Sequence, residues 1–128
     1  MPSGAVDGVS LFNDLGAKAE KMPGTVYLQN SNGSALAQGT PFYIHTDGTA
    51  KKATSSTEQQ GVWDSVSTAN GANGFGRIAG ILTKTGWGLT VGSYYYVDAS
   101  GNLTTTPTNN AIGFAISATE MIVNPFKK

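Results

Sequence analysis

The strongest constraint on this chain is a pattern that it uses twice. Leu36-Ala37-Gln38-Gly39-Thr40-Pro41-Phe42-Tyr43-Ile44 aligns with Leu89-Thr90-Val91-Gly92-Ser93-Tyr94-Tyr95-Tyr96-Val97, and the leucine, glycine, hydroxyl and aromatic positions coincide. The register continues without a gap, so that Asp47-Gly48 falls on Ser100-Gly101 and Ala50-Lys51-Lys52-Ala53 on Leu103-Thr104-Thr105-Thr106. Upstream, Val26-Tyr27-Leu28 matches Ala79-Gly80-Ile81; downstream, Ile78-Ala79-Gly80-Ile81 is read as the counterpart of Ala111-Ile112-Gly113-Phe114. Self-similarity of this kind implies one supersecondary unit employed twice.

Each copy alternates apolar and other residues with a period of two and ends in a turn dipeptide, the signature of a strand entering a hairpin. Phe42 and Ile44, with their counterparts Tyr95 and Val97, are expected on a core-facing side, and Tyr43 and Tyr96 on the opposite one. There the two tyrosines are either lone surface side chains or part of a subunit or partner interface, where tyrosine offers apolar area with a polar tip. Ile112, Phe114 and Ile116 alternate likewise, and Met121-Ile122-Val123 reads as a closing strand. The expectation is an all-β fold, a compact barrel or sandwich of about seven or eight short strands.

Composition agrees with that class. Only 12% of the 128 residues are charged and 17 are glycine, which favours tight turns over helices. Eight basic residues offset eight acidic ones, so no overall field draws the chain to nucleic acid or to an anionic membrane, and neither is expected as a partner. The absence of cysteine excludes a disulfide scaffold, a thiolate metal site and a cysteine nucleophile. Residues 1–9 lack the basic region and apolar run of a secretory signal, and nothing later reaches membrane-spanning length.

Two segments stand outside the repeat. An N-terminal arm over 1–24 precedes a single β domain over 25–128. In the arm, Leu11, Leu15, Ala19 and Met22 recur at helix-like spacing behind a possible cap at Ser10, with Phe12 beside them and Gly16 limiting any helix to a turn or two. The arm is expected to be held by a neighbouring chain through Leu11, Phe12 and Leu15; docking on its own domain is the alternative. The second segment, 55–76, is read as a loop inserted into the β domain, of the length that often makes a binding element. Within it, Trp63 either anchors a partner contact or pins the loop to its own core.

The residues that carry chemistry are sparse. His45 is the only histidine and sits on an alternating strand, where a solvated or satisfied side chain is the ordinary reading. Asp47 and Asp98 stand beside turns, where a carboxylate accepts nearby backbone N–H bonds. Gly74-Phe75-Gly76-Arg77-Ile78-Ala79 satisfies a loose phosphate-loop pattern, but it runs into a strand rather than a helix. No HExxH, GxSxG or Walker sequence is present, so no enzyme activity, cofactor or metal is expected. Asn32-Gly33-Ser34 and Asn102-Leu103-Thr104 are formal glycosylation acceptors, read as coincidental in a chain without a secretory signal.

The run from Gly88 through Asp98, Gly101-Asn102-Leu103-Thr104-Thr105-Thr106 and Ile112-Gly113-Phe114-Ala115-Ile116-Ser117-Ala118-Thr119 resembles a module of tailed-bacteriophage structural proteins, found in capsid decoration (cement) proteins and in head and tail fibres. The resemblance is clearest over the final third of the chain and extends more weakly, through the repeat, back to Thr25. It implies a virion component on the outer surface of a capsid, a homotrimer whose partner is the major capsid protein, without cofactor or catalysis. The alternative that it implies is a fibre adhesin module binding host-surface glycans. Taken as a whole chain, the sequence has no fibrous shaft repeat and begins with an extendable arm, which favours the decoration role.

Overall fold

A computed structural model describes residues 24–108 and 110–123. Twelve short strands form in these residues: β1 (Thr25–Gln29), β2 (Leu36–Ala37), β3 (Pro41–Ile44), β4 (Ala50–Lys52), β5 (Gly61–Trp63), β6 (Ser67–Thr68), β7 (Asn73–Arg77), β8 (Gly80–Thr83), β9 (Tyr94–Val97), β10 (Leu103–Thr104), β11 (Gly113–Ala115) and β12 (Glu120–Val123). The fold is all-β, as the alternation requires, but it is more finely divided than the seven or eight strands expected from the sequence. Glycine-bearing turns break the chain every few residues.

Two five-stranded sheets share one plan. The first runs β1-β7-β5-β3-β4; the second, taken from its β8 edge, runs β8-β12-β11-β9-β10. Every neighbour in both sheets is antiparallel. The equivalence extends to single residue pairs. Ile44 faces Ala50 and Tyr43 faces Lys51 in the first hairpin; Val97 faces Leu103 and Tyr96 faces Thr104 in the second. One strand further in, Phe42 faces Gly61 and Tyr95 faces Gly113. Both hairpins close through a glycine with positive φ, Gly48 at 85° and Gly101 at 86°. A side chain is rarely tolerated at that φ, which is why this position repeats when its neighbours do not.

The register corrects two details of the repeat. Gly61-Val62-Trp63, not 78–81, is the counterpart of Gly113-Phe114-Ala115, and β8 instead opens the second unit as β1 opens the first. The upstream match also shifts: Val26 lies opposite Gly76 as Leu82 lies opposite Met121, so Val26 corresponds to Leu82 rather than to Ala79. Nor is 55–76 an inserted loop. It contains β5, β6 and most of β7, and β5 is the middle strand of the first sheet, buried at all three positions. What the first unit adds is the short β2–β6 ladder, in which Leu36 faces Thr68 and Ala37 faces Ser67.

The first unit is also closed on itself. Asn30, just past β1, forms a parallel bridge with Ala50 of β4, so the two edge strands of the first sheet meet at one end. Ser31 N–H donates to the Ala50 carbonyl at 2.9 Å, and Lys52 N–H donates to the Asn32 side-chain oxygen at 3.0 Å. Asn30 itself is fully buried and satisfied: its amide donates to the carbonyls of Ser34 (2.9 Å) and Thr68 (2.8 Å), and its side-chain oxygen accepts from Asn32 N–H (2.7 Å).

Packing follows from these two sheets. One apolar cluster, inside the first unit, joins Leu36, Phe42, Ala50 and Trp63, with Val26, Leu28 and Ile78 against it. Phe42 and Trp63 meet edge to face, ring centroids 5.4 Å apart, and the Trp63 indole N–H donates to the Thr68 hydroxyl at 2.9 Å. Gly74 and Gly76 lie beneath these rings. A methyl at Gly76 would overlap the Phe42 ring, and one at Gly74 would reach Trp63 and Thr68. The glycine pair that mimics a phosphate loop is therefore the floor of an aromatic core within β7, left bare so that two large rings fit. The second cluster joins Leu82, Leu89, Tyr95, Val97, Ile112, Ala115, Met121 and Val123, and Val62 of the first sheet enters it from below. The second unit thus covers the face of the first sheet that Phe42 and Trp63 turn away from. Gln38 reaches across this joint, its amide donating to the Thr83 carbonyl (3.1 Å), and within the first unit it also donates to Asp64 Oδ1 (3.3 Å), whose carboxylate pairs through Oδ2 with Arg77 Nε at 2.9 Å.

Candidate functional site

The sequence places Phe42, Tyr95 and Val97 inward and Tyr43 and Tyr96 outward, and the structure does so: the first three are buried, and the two tyrosines are half-buried on the opposite side of their strands. Ile44 departs from this pattern. It is 39% exposed although it shares a parity with Phe42, because it ends β3 where the chain turns into the hairpin. Tyr43 lies near His45, ring centroids 6.2 Å apart. Trp63 is 0% exposed, so of its two sequence readings the core one holds, and the indole presents nothing to a partner. Leu11, Phe12 and Leu15, with the rest of the arm, lie outside the described residues.

The surface that sequence reading missed is the outer face of the second sheet. The alternation of Ile112, Phe114 and Ile116 suggests a common inward face, but Gly113 and Ala115 are the inward pair of β11, and Phe114 turns out. The same parity turns out Ile122 between the buried Met121 and Val123. In register, Tyr94 faces Phe114, Phe114 faces Ile122, and Ile122 faces Ile81. One row of large apolar side chains therefore crosses four adjacent strands. Tyr94 and Phe114 stack at 4.8 Å in a tilted pair, and the row is open at both ends, with Tyr94 38% and Ile81 50% exposed. Scattered apolar side chains on a surface need no explanation, whereas a contiguous row is the mark of a contact surface. The corresponding row of the first sheet is Pro41, Val62, Arg77 and Thr25. There Pro41 and Val62 are fully buried, and Val62 sits in the second unit's core. In the first unit two of the four positions are covered by the rest of the chain and Arg77 and Thr25 are half-buried; in the second, no position of the row is fully buried among the described residues.

The polar groups that could carry chemistry are occupied in turns. Asp98 Oδ1 accepts from the backbone N–H groups of Ser100 and Asn102, both at 2.9 Å. Asp47 Oδ1 accepts from the Thr49 hydroxyl at 2.6 Å and the Thr49 N–H at 3.0 Å, and lies 3.4 Å from His45 Nδ1. The Thr49 hydroxyl first, then its N–H, hold the Asp47 carboxyl below its ordinary pKa. These are the hairpin-capping roles expected of carboxylates beside turns. Among the described residues, no three His, Cys, Asp or Glu side chains gather where a metal ion could be held. Asn32, one of the two formal glycosylation acceptors, is half-buried and engaged in closing the first sheet.

No family model, curated protein or solved structure matches this chain.

Proposed function

We propose that this protein is a viral structural component, a decoration protein that binds the outer surface of a bacteriophage capsid and stabilises it by bridging capsid subunits. The observation that carries the reading is the resemblance of the run from Gly88 to Thr119 to a module of phage structural proteins, together with its use in this fold. That run supplies β9, β10 and β11, and their counterparts β3, β4 and β5 follow the same strand plan in the first sheet. A turn-rich domain with balanced charge suits a role in which many modest contacts, repeated over a shell, add up through multivalency. Such a component needs only to bind the assembled shell better than its separated parts, which stabilises the shell by mass action. Three copies per site and the major capsid protein as partner belong to the same proposal.

Quantifying the protein in purified particles tests the reading. A decoration protein is present at a stoichiometry approaching that of the major capsid protein, and particles lacking it assemble normally but release DNA at lower temperature or under milder osmotic shock. Adding purified protein back restores resistance to saturation. A few copies per particle, with undecorated particles equally robust but unable to attach to cells, would replace this reading with a fibre adhesin. Absence from particles would end both.

A further inference from the structure

The open row on the second sheet has a candidate occupant in the chain itself. We propose that the N-terminal segment, through Leu11, Leu15 and Met22, docks on the outer face of the second sheet of its own chain and covers Ile81, Ile122 and Phe114.

Three observations lead there. First, the equivalent row of the first unit is fully buried at Pro41 and Val62, where the second unit packs on it, and half-buried at Arg77 and Thr25, so the plan of this fold covers part of that side of the sheet. Second, the segment leaves the domain beside the row. Gly24, where the described residues begin, accepts hydrogen bonds through its carbonyl from Ile78 N–H (2.7 Å) and Ala79 N–H (3.2 Å). Those residues run directly into β8, the edge strand that carries Ile81. Third, the segment has the complementary pattern and reach. Leu11, Leu15, Ala19 and Met22 fall on one side at helical spacing. Helix is the shorter of the regular forms, and twelve residues span about 17 Å even at helical rise, so Leu11 to Met22 has the reach to cross a row over four strands about 14 Å wide.

The tether selects the occupant. A segment joined to the edge of the face through Met22 and Gly24 has an effective local concentration of order millimolar. A second copy at micromolar concentration competes poorly with it. The inference does not depend on the virion role and is tested on purified protein without capsids.

Lys18 and Lys21 lie within the segment and are trypsin sites. In the intact protein, cleavage there should be slow, and Ile81→Glu combined with Ile122→Glu should speed it by about tenfold or more as the segment is released. Equal cleavage rates in a variant whose near-ultraviolet circular dichroism is unchanged would overturn the proposal. If that variant fails to fold, a second measurement decides. The chain has no cysteine, so an Ile81→Cys variant carrying a second cysteine at Leu11, Leu15 or Met22 in turn can form only one disulfide per chain. At least one pair should close within a single chain under mild oxidation, since a disulfide needs Cα atoms within about 7 Å. Disulfides found only between chains would assign the face to a neighbour's arm, and the absence of any disulfide would show that the arm does not reach it; either result overturns docking on its own chain.

Discussion

Replacing Phe42 by alanine tests the strand faces and the repeat together. Phe42 is fully buried, edge to face with Trp63, above the glycine floor of β7. Truncating such a ring removes its transfer free energy and leaves a cavity that rigid neighbours cannot fill. The two effects sum to about 3–5 kcal/mol, a large share of the roughly 5–15 kcal/mol that holds a domain of this size together. Tyr43, one residue on, is half-buried on the opposite side and faces Lys51. Its truncation forfeits only part of the ring's burial, about 1–1.5 kcal/mol. In urea unfolding at 25 °C, with an m value of about 2 kcal/mol per molar, the middle of the usual range, the Phe42→Ala midpoint should fall by about 1.5–2.5 M, and that of Tyr43→Ala by well under half as much. Tyr95→Ala, at the equivalent inward position, should resemble Phe42→Ala, with the further loss of the hydroxyl that accepts from Thr90 N–H at 2.7 Å. A Tyr43 variant as destabilised as the Phe42 variant, at unchanged m, would refute the face assignment and with it the register on which the equivalence of the two units rests.

Two further outcomes are specific to the turns and the closure. Asn30→Ala leaves the carbonyls of Ser34 and Thr68 and the N–H of Asn32 without their partner, so unfolding should show a loss of about 2–4 kcal/mol; a loss within experimental error would mean that the first sheet is not held closed there. For Asp47, whose folded pKa is lowered, the linked stability is present above the ordinary value of 3.8 and is lost as pH falls through the depressed one. Thr49→Ala should therefore bring the Asp47 titration, followed by carbon-detected NMR, back toward 3.8, and the stability difference between variant and parent from this source should vanish in stronger acid. An unmoved titration would exclude the Thr49 hydroxyl as the cause.

What the sequence disclosed and what it concealed divide along a physical line. The hairpins were legible because three local signals coincide in each: an alternating aromatic strand, a turn dipeptide and a positive-φ glycine at the same offset. Segment 55–76 was not, because β5 contributes only Val62 and Trp63 as apolar signal, amid residues of loop-like composition. Gly74 and Gly76 carry no hydrophobic signal at all; their meaning depends on rings that arrive from β5 and β3. The same blindness hid the open row. Gly113 and Ala115 turn inward because Met121 packs over Gly113 and leaves no room there for a larger side chain, and that forces Phe114 out against the pattern of its apolar neighbours. Pattern alone assigns the larger side chain to the core, and only the cross-strand register reverses it.

The two units, built alike, differ in how they end, and the difference leaves one sheet face more open than its counterpart. The first has its edge strands joined through Asn30 and Ala50, an added ladder in β2 and β6, and both faces of β5 buried. The second has no counterpart to that ladder or that bridge among the described residues, and its outer face carries aromatic and aliphatic side chains where the first carries Thr25, Arg77 and two buried residues. Apolar area left in water on one copy of a plan, and buried on the other, is stabilisation not yet realised within the domain. It becomes available when something covers that face, as the proposed docking of the arm would do, and a covering segment should therefore raise the stability of the second unit more than that of the first.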